Sequence, residues 1–184
     1  MTSHTTNLQI DGFLHRWAFV SYANIEHFAG RSAQWMRLQP PPRFAAGALP
    51  DWGVGIRRDA LPGGVDAVWS LDDGAYVIRV SPFLAPARAN FTLWHEWFEV
   101  MASRPAFPGR YTPHRLERLA DLYAAAITMP ADTVARSLKE FRDSGDKADV
   151  MAARFGISVA AMRRRIRELA PDRRIRPAGW DSIR

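Results

Sequence analysis

The segment FTLWHEWFEVM, at residues 91–101, restricts the fold of this chain more than any other stretch. As a helix it carries large apolar side chains on nearly every side, which is typical of a helix buried in a domain core. Three ionisable residues lie among them: His95, Glu96 and Glu99. Buried charges are costly unless they are paired or bound to a metal ion. The fold must therefore provide partners for these three groups.

The spacing of the three groups predicts a metal site. On a helix, His95 and Glu99 project from the same face, one turn apart, and Glu96 lies about 100° around the helix from His95. The related pattern His-Glu-x-x-His binds zinc through its two histidines, with the intervening glutamate as general base. A carboxylate oxygen can replace the second histidine as a zinc ligand. We therefore expect His95 and Glu99 as metal ligands and Glu96 as the catalytic base.

A third ligand is expected from the next predicted helix, HRLERLADLYAAAITM, which follows Thr112 as N-cap and Pro113 at the first helical position. In this helix Glu117 and Asp121 are four residues apart. We expect Glu117 to bind the metal and Asp121 to accept a hydrogen bond from His95. His114 is an alternative ligand, and it fits an ordinary surface position equally well. Tyr111 and His114 are candidate donors to the negative charge that develops during catalysis. The alternative to a metal site is a set of ion pairs with arginines such as Arg88, Arg104 or Arg118.

The composition limits the ligand chemistry of any such site. The chain has 184 residues and no cysteine, so a metal must be held by nitrogen and oxygen ligands. Zinc is the expected divalent metal, with manganese or iron as alternatives. The sequence begins with no signal-peptide pattern and contains no uninterrupted apolar run of about 18 residues. We expect a cytoplasmic protein with no membrane contact.

Basic residues concentrate in the C-terminal part of the chain. Residues 147–184 hold 10 Lys/Arg and 4 Asp/Glu, whereas residues 1–146 hold 15 of each. The stretch DKADVMAARFGISVAAMRRRIREL is typical of a helix-turn-helix, with Gly156 at the turn and Ser158 as a cap. Its outward arginines, Arg163, Arg164 and Arg167, are candidate DNA contacts. Equally, these helices could only complete the fold or dock a protein substrate.

We expect four parts along the chain and an α+β fold. Residues 1–45 form a helical segment, in which a helix begins after Asp11 and carries Phe13, Trp17, Val20 and Phe28 at roughly helical spacing. Residues 46–130 form a central core, residues 131–170 a helical helix-turn-helix module, and residues 171–184 a basic tail. Between residues 52 and 81, three segments with a two-residue period predict a small, mostly antiparallel sheet with a tight hairpin at residues 72–74. The sheet is expected to pack on the apolar helix.

The two linked motifs resemble those of the ImmA/IrrE-type metallopeptidases. In that family a Phe-Thr-Leu-x-His-Glu-x-x-His helix precedes a glutamate-bearing Ala-Asn/Asp-x-Phe-Ala-x-x-Leu-Leu-Met-Pro segment. Here FTLWHEWFEVM is followed by LERLADLYAAAITMP. The order of parts is also similar, with a small sheet before the first motif and a helix-turn-helix after the second. The second motif is matched by Ala120, Asp121, Tyr123, Ala124, Met129 and Pro130.

The resemblance implies thermolysin-like active-site helices in a metallopeptidase-like core at residues 46–130. It implies site-specific cleavage of a helix-turn-helix repressor in stress or mobile-element regulation, with His95 and Glu117 as metal ligands and Glu96 as general base. Glu99 departs from the family's usual histidine. Two carboxylates make the metal a weaker Lewis acid and favour manganese or iron beside zinc. The alternative function is a catalytically inactive DNA-binding or partner-binding regulator on the same fold.

Overall fold

The computed structural model describes residues 2–141 and 146–169, with side chains described from residue 7 onward. The predicted basic tail at residues 171–184 lies outside this part of the chain. The described helices are α1 (Thr2–Leu14), α2 (Ile25–Trp35), α3 (Ala45–Ala48), α4 (Pro86–Ala102), α5 (Pro113–Thr128), α6 (Ala131–Glu140), α7 (Lys147–Phe155) and α8 (Val159–Leu169). The strands are β1 (Val54–Arg58), β2 (Ala67–Asp72) and β3 (Ala75–Val80).

The three strands form one sheet in the order β1-β3-β2. Strands β2 and β3 make the expected antiparallel hairpin, and β1 pairs with β3 in parallel. Asp73 and Gly74 both have positive φ, 49° and 78°, as the tightest hairpin turns require. This order places β2 at an edge of the sheet, beside α4. The predicted α+β fold, with a small sheet packed on helices, is confirmed.

Helix α4 forms the centre of the main hydrophobic core. Trp94, Trp97 and Phe98 are fully buried, as the all-round apolar pattern predicted. Pro86 begins the helix at a position where a missing N–H costs nothing. Helix α5 packs along α4 and begins at the predicted cap, where the Thr112 side chain accepts a hydrogen bond from the Arg115 N–H.

The N-terminal helices belong to the same core. Residues from Ile10 in α1 to Phe28 in α2 pack with those of α4 and α5. The prediction of a helix beginning after Asp11 and running past Val20 was wrong, because α1 ends at Leu14 and α2 begins at Ile25. Asn24, immediately before α2, accepts a hydrogen bond from the Ser21 N–H (2.7 Å) and stabilises the turn between the helices.

Helices α6, α7 and α8 surround a second, smaller apolar cluster. Gly156 ends α7 with φ of 65°, and the Ser158 side chain accepts a hydrogen bond from the Ala161 N–H (3.1 Å) at the start of α8. The buried Arg165 of α8 donates to the Met129 carbonyl (3.0 Å) and pairs with Glu26 of α2. The cluster itself contains Met129, Val134, Ala148, Met151, Ala152, Phe155 and Met162.

None of the described helices combines the length and apolarity that crossing a bilayer would require.

Candidate metal centre

Helices α4 and α5 bring the predicted ligands together. His95 Nε2 lies 3.4 Å from Glu117 Oε2 and 3.9 Å from Glu99 Oε1. One ligand atom from each of the three residues can be chosen so that all lie within 4.8 Å of one another. His95 and Glu99 are adjacent because they are one turn apart on α4, and Glu117 reaches them from the first half of α5. The cluster therefore depends on the packing of these two helices.

Asp121 fixes the orientation of His95. The Asp121 Oδ1 atom lies 3.0 Å from His95 Nδ1, and a carboxylate can only accept, so Nδ1–H is the donor. In the neutral imidazole this leaves the Nε2 lone pair directed at Glu99 and Glu117. Burial alone would lower the pKa of His95, but the hydrogen bond and charge of Asp121, with Glu99 and Glu96, raise it overall.

Glu96 lies against the sheet rather than at the surface. Its exposed fraction is 8%. Burial raises the pKa of its carboxyl to about 7, and the neighbouring Glu99 and Glu117 carboxylates add to this effect. Burial likewise raises the pKa of Glu99, with Glu117 contributing. A carboxyl that titrates near neutral pH can both accept and return a proton, which is the property of a general acid–base.

The predicted alternative of arginine pairing is not what the structure shows. Arg88 pairs with Asp66 (2.6 Å), and the buried Arg104 pairs with Asp11 (2.7 Å) at the far end of α4. Arg118 has no ion-pair partner within 4.0 Å among the described residues. Within the described residues, His95 is the positive group whose charge opposes the rise in the pKa of Glu96 and Glu99.

The cluster lies in an open cleft of about 440 Å³ between the sheet and the two helices. One wall is the segment from Gly64 to Trp69, which includes the first half of β2. In the described part of the chain, β2 pairs only with β3, so its other edge offers unpaired backbone groups beside the cluster. Such an edge can bind an extended peptide by adding it as a strand.

Trp69 is a site residue that the sequence reasoning missed. It lines the cleft from β2. A hydrogen bond from its backbone lowers the pKa of Glu96, and one from its side chain lowers the pKa of Glu99, each against the larger effect of burial. The available signal was the two-residue period of the strand, which predicts that Ala67 and Trp69 share a face. It did not show which helix that face would meet.

The donor set fits a small divalent cation. Tetrahedral zinc with ligand bonds of about 2.0–2.1 Å places its ligand atoms about 3.3 Å apart. The observed separations of 3.4 and 3.9 Å from His95 Nε2 are near this value. One imidazole nitrogen and two carboxylate oxygens also suit manganese and iron. His95, Glu99 and Glu117 would hold the ion, with Asp121 behind the imidazole.

The other candidate donors lie elsewhere. The Tyr111 hydroxyl donates to the Val20 carbonyl (2.6 Å) and accepts from the Val20 N–H (3.1 Å), with Pro108 O also within 2.9 Å. It therefore joins the N-terminal segment to the loop before α5. His114 is exposed and is not among the residues that line the cleft.

The candidate DNA contacts on α8 are exposed, but two of them are already paired. Arg163 forms ion pairs with Asp146 and, at 3.7 Å, with Asp149. Arg164 donates to Glu168 (2.9 Å). Arg167 has no ion pair within the described residues. The α8 surface is thus less positive than its arginine count indicates.

The fold and the cluster define the class of the molecule: a metallopeptidase-like domain, with a His-Glu helix packed beside a mixed sheet and a second carboxylate-bearing helix. Residues 53–167 match the IrrE N-terminal-like domain of the Peptidase_M78 family. The chain belongs to this family, and the resemblance seen in its motifs is confirmed. Membership implies a metal, and the cluster of His95, Glu99 and Glu117 is where the described residues could hold it.

A solved structure supports the same fold. A Mycobacterium tuberculosis transcriptional regulator superposes with a TM-score of 0.57 at 16% identity, covering 85% of this chain and 50% of its own. The chain thus spans about half the length of that regulator. At this identity the likeness concerns the fold alone. No curated protein matches the sequence.

Proposed function

We propose that the chain is a metal-dependent endopeptidase that cleaves a transcriptional repressor. The observation that carries the proposal is the position of the buried Glu96 carboxyl in the same cleft as the cluster of His95, Glu99 and Glu117. A structural role would favour pairing of these carboxylates with arginine, but Arg88 and Arg104 pair elsewhere and Arg118 forms no ion pair with them within the described residues.

The groups that line the cleft have separate roles in peptide hydrolysis. The outer edge of β2 aligns an extended peptide across the cleft by backbone hydrogen bonds. Glu96 takes a proton from the attacking water and returns it to the departing amine nitrogen. Asp121 holds His95 in the tautomer that presents Nε2 to the cluster. A divalent cation in this cluster would supply Lewis-acid catalysis, polarising the carbonyl and making water more acidic.

We further propose zinc as the first choice of metal, with manganese and iron as alternatives. The two carboxylates reduce the net positive charge of the centre relative to a two-histidine site. The expected rate of hydrolysis is therefore lower than that of a site with a second imidazole. The lower rate results from the Glu99 carboxylate at the position of a second histidine, and this replacement leaves the fold unchanged.

The proposal of a repressor as substrate is supported by family membership and by a structural neighbour that is a transcriptional regulator. A helix-turn-helix repressor encoded beside this gene is the substrate to test first. The purified repressor is incubated with the metal-loaded chain, and with Glu96→Gln as the matched isosteric variant. We expect cleavage at one position by the unchanged chain and a loss of at least about a hundredfold with Glu96→Gln. Equal cleavage by both proteins would contradict the assignment of Glu96.

A regulator without catalysis is the second candidate, and Glu99 is the observation that favours it. A site that lost its second histidine could retain the fold and act by binding DNA or a partner through α8. Duplex DNA binding would then depend on salt and would be reduced by Arg167→Gln, because Arg167 lacks a described intramolecular partner. The ion pairs of Arg163 and Arg164 oppose this function. A gel-shift titration at two salt concentrations separates the two candidates.

A further inference from the structure

A second groove continues from the metal cleft toward α8. It has a volume of about 420 Å³ and lies between the start of α4, one face of α5 and one face of α8. The two cavities share Arg88, Phe91 and Asp121 in their walls. A chain that crosses the metal cleft can therefore extend into this groove without leaving the protein surface.

The groove combines an apolar wall with a cationic rim. Its apolar wall includes Phe91, Leu122 and Ile157, contributed by α4, α5 and the turn before α8. Arg118 and Arg164 line it from α5 and α8. Arg164 shares its charge with Glu168. Beside the hydrogen bond from His95, the charges of both arginines also lower the pKa of Asp121 in the shared wall. Arg118 has no ion pair in the described part of the chain, so its charge is the one most open to a ligand carboxylate. The groove is thus suited to apolar side chains accompanied by a carboxylate.

The α8 wall of the groove is held firmly in place. Arg165, 4% exposed, joins α8 to the Met129 carbonyl and to Glu26 of α2. Breaking this pair would leave the buried Arg165 without its charged partner, although Glu26 itself is partly exposed, so the pair and the bond to Met129 hold α8 against the core. A fixed wall lowers the entropic cost of binding a flexible chain.

We infer that this groove binds the segment of the protein substrate next to the scissile bond, and that it selects apolar residues together with Asp or Glu. The inference rests on the endopeptidase function proposed above. In this inference α8 contributes to substrate selection rather than to DNA recognition. The occupant is a part of the substrate because the groove opens directly into the cleft that holds Glu96.

The test uses a library of random 12-residue peptides displayed on phage, selected against the full-length, zinc-loaded Glu96→Gln protein. Peptides with apolar residues and one carboxylate should be enriched. In the same background, Arg118→Glu and Arg164→Glu should each weaken binding of the enriched peptides by about tenfold or more and shift new selections toward Lys and Arg. Arg167→Glu is the matched control, because it makes the same charge change on α8 outside the groove.

The outcomes separate the groove from the catalytic proposal. Enriched peptides that bind Arg118→Glu and Arg164→Glu as tightly as Arg167→Glu would overturn the groove assignment, and so would the absence of any enriched peptide. The unchanged chain is then tested for cleavage of the enriched peptides as free synthetic peptides. Groove-dependent binding without cleavage contradicts the peptidase function and leaves the docking surface intact.

Discussion

At the scale of single residues, His95 is the group on which the other site residues converge. Its Nδ1 atom meets Asp121 at 3.0 Å, and its Nε2 atom faces Glu99 and Glu117. Because the two nitrogens have different partners, one imidazole connects the orienting carboxylate to the ligand carboxylates. The function of Asp121 can therefore be separated from that of Glu117 by substitution.

Replacing Asp121 by Asn should weaken metal binding by about 10- to 100-fold without removing a ligand. The amide is a poorer acceptor than the carboxylate, so the tautomer of His95 is held less strongly. Isothermal titration with zinc measures the change. Asp132→Asn changes a surface residue of α6 that accepts hydrogen bonds from Arg136 and Thr133, and it is the control. Equal affinity for Asp121→Asn and the control would exclude an orienting function.

Glu99 determines the metal preference of the centre. Glu99→His would supply a second imidazole, which suits zinc better than manganese, whereas carboxylate oxygen suits manganese. We expect the ratio of zinc to manganese affinity to rise by about tenfold or more. Competition titrations with the two metals measure this ratio. An unchanged ratio would mean that Glu99 does not bind the metal.

At the scale of helices and strands, local signals predicted those elements whose boundaries have a chemical marker. Thr112 and Pro113 mark the start of α5, and Gly74 marks the hairpin. The parallel pairing of β1 with β3 has no such marker, because a two-residue period does not encode which strand lies alongside. The N-terminal helices were misjudged for a related reason. The apolar residues of the two separate helices are spaced as they would be in one continuous helix.

Gly156 is required at the end of α7 by its backbone conformation. Its φ is 65°, and a Cβ there would lie 3.2 Å from a ring carbon of Phe44. Gly156→Ala should therefore lower the free energy of unfolding by about 1–2 kcal/mol. Gly30→Ala is the opposite case, since Gly30 is exposed in α2 with open space around it, and should raise stability by up to about 1 kcal/mol. Urea denaturation of both variants tests the contrast, and changes of the same sign would contradict it.

At the scale of the whole molecule, two buried arginines connect distant parts of the chain. Arg104 binds Asp11 of α1 through two nitrogens at 2.7 and 2.9 Å. Arg165 joins α8 to α2 through Glu26. Neither connection was predictable, because each pairs residues far apart in sequence and many acidic residues were available. The same limit applies to the site: spacing within α4 and α5 predicted the ligands, whereas the contribution of Trp69 from the sheet required the fold.

Removing Asp11 should destabilise the protein, because the nearly buried Arg104 would lose its charged partner. We expect Asp11→Ala to lower the free energy of unfolding by about 2 kcal/mol, less than for a fully buried pair because Asp11 is partly exposed. Asp132→Ala removes the partner of Arg136 in an exposed pair and should cost under about 1 kcal/mol. Chemical denaturation compares the two. Equal losses would show that the Arg104 pair does not hold α1 to the core.

The most direct test of the metal centre is the metal content of the purified full-length chain, measured by inductively coupled plasma mass spectrometry. We predict one divalent ion per chain. The ion should be lost in His95→Gln and in Glu99→Gln, because both residues are ligands, and retained in Glu96→Gln, because Glu96 is not a ligand. A chain that binds no divalent ion after dialysis against zinc, manganese or iron would contradict the account. So would binding that is indifferent to His95 and Glu99.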